Sequence, residues 1–193
     1  MQKQTSKKVH SIEPFFLWRD IYSSDQDPNA LNYQFEYSEF HYTNQIYNFL
    51  LHPQWDNFGS ETLFYKLLYA DYDQKFCVIE LIGEWNDAIN NDIMWFKSEL
   101  IDHLIDCGIE NFAIIAENVL NFHGDGDDYY HQWKDDIDGN VYIINALPHV
   151  LEEMKQYNLQ YAVSFGDRLN DINWRSTRPE DLLDVLETQY LDI

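Results

Sequence analysis

The sequence predicts an α/β protein, with α+β as the neighbouring class, built on a mixed sheet with helices packed against it. Three observations carry this expectation. From about residue 60, runs with strand character alternate with runs of helical period, the order that places helices on a partly parallel sheet. Two of the strand runs, "NFAIIAENV" and "NVYIINAL", are apolar on both faces, as central strands are. The chain has 193 residues, 45% hydrophobic and 17% aromatic, which is enough for a core without disulfide staples. The whole chain, 1–193, is expected to form one domain: an aromatic-rich extension, 1–59, packed on an α/β core, 60–193.

Taken in order, the basic start "MQKQTSKKVHSIEP" reads as a frayed tail without the apolar segment of a secretory signal. "IEPFFLWRDIY" reads as a short helix, with Pro14 in the first turn where its missing N–H costs little. "SSDQDPN" is a loop. "LNYQFEY" sets Leu31, Tyr33, Phe35 and Tyr37 against polar residues at the strand period. Thr43 is placed to cap a short helix through Leu51, ended by Pro53.

"TLFYKLLYAD" and "KFCVIELIGEW" flank "YDQ" as a hairpin. Cys77, Ile79 and Leu81 should share one face of the second strand, with Val78, Glu80 and Ile82 on the other. "NNDIMWFKSELIDHLIDCG" predicts the best helix, with an apolar stripe from Ile93 to Ile105, a cap at Asn90 or Asn91 and a stop at Gly108. The strand "NFAIIAENV", an acidic stretch and the strand "NVYIINAL" follow. Then come a helix "PHVLEEMKQYN", a third central strand "QYAVSF", and a last helix in "TRPEDLLDVLETQYL" with Thr177 and Glu180 at capping-box spacing. The order from residue 60 is thus β-β-α-β-(acidic loop)-β-α-β-α. It resembles the STAS domains of anti-sigma-factor antagonists, which also start with strands before alternating. The resemblance covers element order only. The loop after "NFAIIAENV" holds no Ser or Thr to match a phosphorylatable serine.

Charge is the loudest global property: 34 acids face 12 Lys and Arg, a formal net charge of −22. Like-charge repulsion argues against nucleic acid and anionic membranes as partners and favours cations or a basic protein. The same acidity also keeps an aromatic-rich protein soluble. No apolar run reaches membrane-spanning length. Two cysteines, Cys77 and Cys107, suit a reduced cytoplasm as buried thiols.

The stretch "NFHGDGDDYYHQWKDDIDGN", 121–140, concentrates six aspartates and two histidines. It fails the EF-hand pattern. Counted from Lys134, the first ligand is lysine and the twelfth is Asn145; counted from Asp125, positions five and six are Tyr129 and Tyr130. His123, Asp125, Asp127 and His131 mix imidazole and carboxylate, a set a divalent transition metal can use, at the carboxyl end of a central strand. The alternatives are a solvated connecting loop and a partner contact.

A second surface is "FGDRLNDINWRSTRP". Three of the chain's four arginines, Arg168, Arg175 and Arg178, lie there beside Trp174, placed either to hold an anion or to pair with the interleaved acids. Glu80, inside an apolar strand, is either a buried acid with a raised pKa or a residue on a half-exposed face. No P-loop, dinucleotide fingerprint or nucleophile elbow is present.

The reading that fits is a non-catalytic acidic interaction or regulatory module without cofactor, binding a protein partner through Asp125, Asp127, Asp128, Asp135 and Asp136 and through exposed members of Tyr33, Phe35 and Tyr37. A homodimer is compatible with it. The alternative is a metal-dependent hydrolase using the His/Asp-rich loop 123–138.

Overall fold

The "YDQ" hairpin organises the molecule. A computed structural model describes residues 8–9 and 12–191. Three two-residue strands come first: β1 (Lys8–Val9), β2 (Gln45–Ile46) and β3 (Phe49–Leu50). The hairpin strands are β4 (Leu63–Asp71) and β5 (Phe76–Asn86). A single turn, α1 (Asp87–Asn90), leads into α2 (Asp92–Phe96), a π-helical turn (Lys97–Ile101) and α3 (Asp102–Asp106), which run on as one helix. Then follow β6 (Asn111–His123), α4 (Asp128–Asp135), β7 (Val141–Ile144), α5 (Pro148–Gln156), β8 (Ser164–Phe165) and α6 (Leu182–Leu191).

The main sheet has the order β4-β5-β6-β7-β8. β4 is antiparallel to β5 and every other pairing is parallel, the mixed sheet expected from the element order. β5, β6 and β7 are interior, so both of their faces must be covered, and this is why they read as unbroken apolar runs. The predicted split of β5 holds. Cys77, Ile79 and Leu81 enter one core with the apolar stripe of the long helix, Tyr130 and Trp133 of α4, and Val150 and Met154 of α5. Val78 faces the other core, with Trp18, Trp174, and Leu182 and Leu186 of α6. Ile82 joins a third cluster with Ile46, Leu51, Trp55 and Phe64, beneath the small sheet β1-β3-β2.

Several local expectations give way to tertiary demands. The segment expected as a helix from Ile12 forms turns around Trp18, because Phe15 gives its N–H to the Glu80 carboxylate (2.9 Å) and Trp18 is drawn into the core. "LNYQFEY" is turn and loop: Gln34 takes a left-handed conformation (φ 60°) and Tyr37 is pulled onto Asp56. The helix expected from Thr43 is instead the β2–β3 hairpin, closed by a two-residue turn with Tyr47 at φ 52°. The acidic stretch holds helix α4. "QYAVSF" is a 3-10 turn followed by the edge strand β8, only two residues long. Thr177 bonds the Asn173 carbonyl rather than capping α6. The cap of α2 comes from Asp87, whose Oδ1 accepts the Ile93 N–H (2.8 Å), while Asn91 makes no side-chain cap bond. Of the frayed basic tail expected over 1–14, Lys8–Val9 form β1 and residues 12–14 are described as well, whereas 1–7, 10 and 11 lie outside the described residues.

Gly83 marks where β5 must bend. It sits at φ +126° beside a register shift, and a Cβ there would lie 2.0 Å from the Thr62 carbonyl oxygen. Gly83→Ala is therefore expected to cost about 3 kcal/mol, from backbone strain plus overlap. Urea unfolding checks this, and an unchanged midpoint would refute the packing described for this corner.

Candidate functional site

The acidic stretch is divided by its own helix. Tyr130 and Trp133 of α4 turn inward, so the aspartates around them are held apart on the outer side. Tyr130 donates to Asp87 Oδ2 (2.7 Å), which also fixes the end of β5 through the Trp85 indole N–H on Oδ1 (3.0 Å). Burial raises the Asp87 carboxyl to about 7. Asp125, Asp128 and Asp135 are exposed, and Asp136 bonds the buried Lys97 ammonium (2.7 Å), which also pairs with Asp102.

The four metal-ligand candidates do not converge. His131 faces Asp127 (3.4 Å), His123 faces Glu153 (3.8 Å), and Asp125 stands apart. Among the described residues no group of three or more His, Cys, Asp or Glu is placed to hold a metal ion.

In the arginine segment one arginine pairs with an acid of the sheet and another with an interleaved acid. Arg175 Nη1 lies 2.5 Å from Glu117 Oε2, its guanidinium stacks over the Trp174 ring at 4.3 Å, and the buried Trp174 indole donates to Glu117 Oε1 (2.9 Å). Burial acts to raise the Glu117 carboxyl, but donors on Asn145, Trp174 and Arg175 outweigh it and hold the group below its ordinary range. Arg178 pairs with Glu180 (2.8 Å), and Arg168 is exposed. Cys77 is buried and Cys107 half-buried, both free thiols.

Several clefts lie where the extension crosses the edge strand β4. Their floor includes a buried ion pair that sequence reasoning missed. Lys66 and Asp56 are 8% and 7% exposed, with Nζ 3.0 Å from Oδ2. The Tyr37 hydroxyl donates to the same carboxylate (2.7 Å to Oδ1), and the Lys66 ammonium sits 3.7 Å from the centroid of the Tyr37 ring. Asn32 closes the cluster by donating to Tyr37 Oη (3.2 Å). Asp56 also pairs through its backbone with Tyr65 of β4, covering part of that edge. Burial raises the Asp56 carboxyl and lowers the Lys66 ammonium, and their mutual attraction opposes both shifts. One signal was legible: Lys66 is the sole charge within "LFYKLLYA".

The extension leaves large side chains in solvent. Phe40 is 83% exposed, Phe35 56%, Leu31 47% and Tyr33 43%, whereas Tyr37 is half-buried against Asp56. The predicted aromatic residues therefore divide into outward Tyr33 and Phe35 and inward Tyr37.

Glu80, on the other side of the hairpin, is buried at 2% exposure. Burial pushes its carboxyl from the ordinary 4.5 up to about 7, against the bond from the Phe15 N–H.

No family model matches the sequence, and no curated protein matches it. Two solved structures are similar over part of the chain. One is the anti-sigma factor antagonist SpoIIAA in its unphosphorylated form, with TM-score 0.45 and 12% identity over 64% of this chain and 96% of that one. The other is the Bacillus cell fate determinant SpoIIAA in the phosphorylated form, with TM-score 0.40 and 11% identity over 63% of this chain and 98% of that one.

Two outcomes test the site's energetics. Lys66→Met leaves Asp56 buried without its cation and should cost about 3–5 kcal/mol, while Lys66→Met with Asp56→Asn recovers much of that loss in urea unfolding. For Glu80, the folded-state pKa lies above the unfolded value, so its neutral form favours the fold. That stability is full below pH about 4.5 and is lost as pH rises through about 7. Glu80→Gln should match wild type at pH 4.5 and exceed it by about 3 kcal/mol at pH 8. Equal stabilities at both pH values would show that Glu80 does not titrate as its burial demands.

Proposed function

We propose that the chain is a non-catalytic acidic interaction or regulatory module, working as a single domain in the cytoplasm, that binds another protein through the outer face of its extension. The observation that supports this best is the exposure of Leu31, Tyr33, Phe35 and Phe40 beside residues of the same segment that are fully packed, such as Trp55. Exposed aromatic side chains are the kind that anchor interfaces. The net charge of −22 favours a basic partner, and the exposed Asp125, Asp128 and Asp135, with Asp127 and Asp136, supply a second, electrostatic region that would steer it. No helix of the described residues is long and apolar enough to cross a membrane.

The test pairs the wild-type chain with Phe35→Ala/Phe40→Ala and with a charge-reversed Asp125→Lys/Asp128→Lys/Asp135→Lys variant, against a partner recovered by cross-linking in the source cell. The aromatic variant should bind about thirtyfold more weakly, the roughly 2 kcal/mol of a hot spot. The charge variant should associate more slowly and with less dependence on salt. A partner held equally by wild type and both variants would sink this reading.

A further inference from the structure

The cleft over Lys66 combines charges of both signs in a small volume. It measures about 490 Å³, and its walls include Arg19, Asp25, Phe35, Glu36, Tyr37 and Lys66. That size falls within the roughly 300–1,000 Å³ of small-molecule sites. Lys66 is fixed at the floor by Asp56 and the Tyr37 ring, and an ammonium has three donors, of which Asp56 takes one. Arg19 reaches the same cleft; it bonds the Gln54 side-chain oxygen at 3.5 Å and lies 6.0 Å from the Phe16 ring, and neither partner is charged. Burial lowers the proton affinity of Lys66 and Asp56 opposes that; the charge of Arg19 adds to the lowering and that of Asp25 opposes it, so the two cations repel each other and Asp25 offsets only part of that repulsion. An anion set between them would relieve that repulsion.

A simple anion meets Asp25 and Glu36 on the same walls, and a simple cation meets Arg19 and Lys66. A ligand carrying both charges a few bonds apart satisfies both pairs, and the exposed Phe35 ring offers an apolar surface for what remains of it. We propose that this cleft binds a free α-amino acid, its carboxylate on Arg19 and Lys66 and its ammonium toward Asp25 and Glu36. The ligand makes no covalent bond. Phe35 contributes both to this cleft and to the partner surface proposed above, whereas Arg19 contributes to the cleft alone.

The experiment is calorimetric titration of the full chain with each of the twenty common amino acids, with acetate and methylammonium as half-ligands. Arg19→Gln serves as the variant, because Arg19 is exposed and its replacement leaves the core intact. At least one amino acid should bind, at least tenfold more tightly than either half-ligand, and Arg19→Gln should weaken it at least tenfold with an unchanged melting temperature. Silence from all twenty overturns the proposal. So does acetate binding as tightly as the best amino acid, which would make the cleft a plain anion site, and so does undiminished binding by Arg19→Gln. Since Arg19 lies outside the exposed aromatic set, loss of the amino acid and loss of a protein partner are separately visible.

Discussion

β5 is paired on both edges and covered on both faces, and the other elements are arranged around that requirement. Its residues from Phe76 to Gly83 are all buried. One face needs the long helix, α4 and α5; the other needs Trp18 and α6. Burying an apolar side chain is worth roughly 1.5–3 kcal/mol, so a strand with six of them, Phe76 to Ile79 with Leu81 and Ile82, outweighs local preference in the segments that cover it. Glu80 is the cost of the arrangement. Its carboxyl is carried inside with the strand and is tolerated because the Phe15 N–H reaches it. That bond also helps explain why the extension begins as turns: the backbone at Phe15 is committed to the sheet and not to a helix of its own.

The core was legible for the same reason that it is stable. Interior strands must be apolar on both faces, and the run from Ile93 to Ile105 must repeat at the helical period, so β4, β5, β6, β7 and the long helix could be read from residue types alone. The extension could not. Leu31, Tyr33, Phe35 and Tyr37 alternate as a strand would, yet their alternation is met by no partner strand. Tyr37 turns in to share Asp56 with Lys66, and Phe35 turns out. The alternation reflects two destinations for aromatic rings, and a backbone with Gln34 at φ 60° achieves it. The stretch 121–140 hid α4 behind its six aspartates. Composition suggested a loop, while the informative pair, Tyr130 and Trp133, was three residues apart at helical spacing.

The candidate sites divide along the same line. The aspartates and arginines that stood out by composition are either exposed or paired within the chain, as Arg175 is with Glu117 and Asp136 with Lys97. The Lys66–Asp56–Tyr37 cluster draws its members from three separate segments, and only the fold brings them together. A lone charge in an apolar strand announces that a partner exists but not which one.

Cations are scarce in this protein, and their placement shapes its surface. Of 12 Lys and Arg, Lys66 and Lys97 are buried against carboxylates, while Lys75, Arg175 and Arg178 pair with Glu110, Glu117 and Glu180. Exposed pairs of this kind contribute little to stability, but each withdraws a positive charge from the outer field. The surplus of acids then faces outward with few cations to offset it, and a basic partner would meet an attractive field before it met any contact. The exception is the cleft, where Arg19 lies near Lys66 with no carboxylate bonded to it. In a chain with so few positive groups, two that share a cleft with Asp25 and Glu36 set charges of both signs side by side. A ligand bearing both a carboxylate and an ammonium would find that contrast framed between the extension and β4.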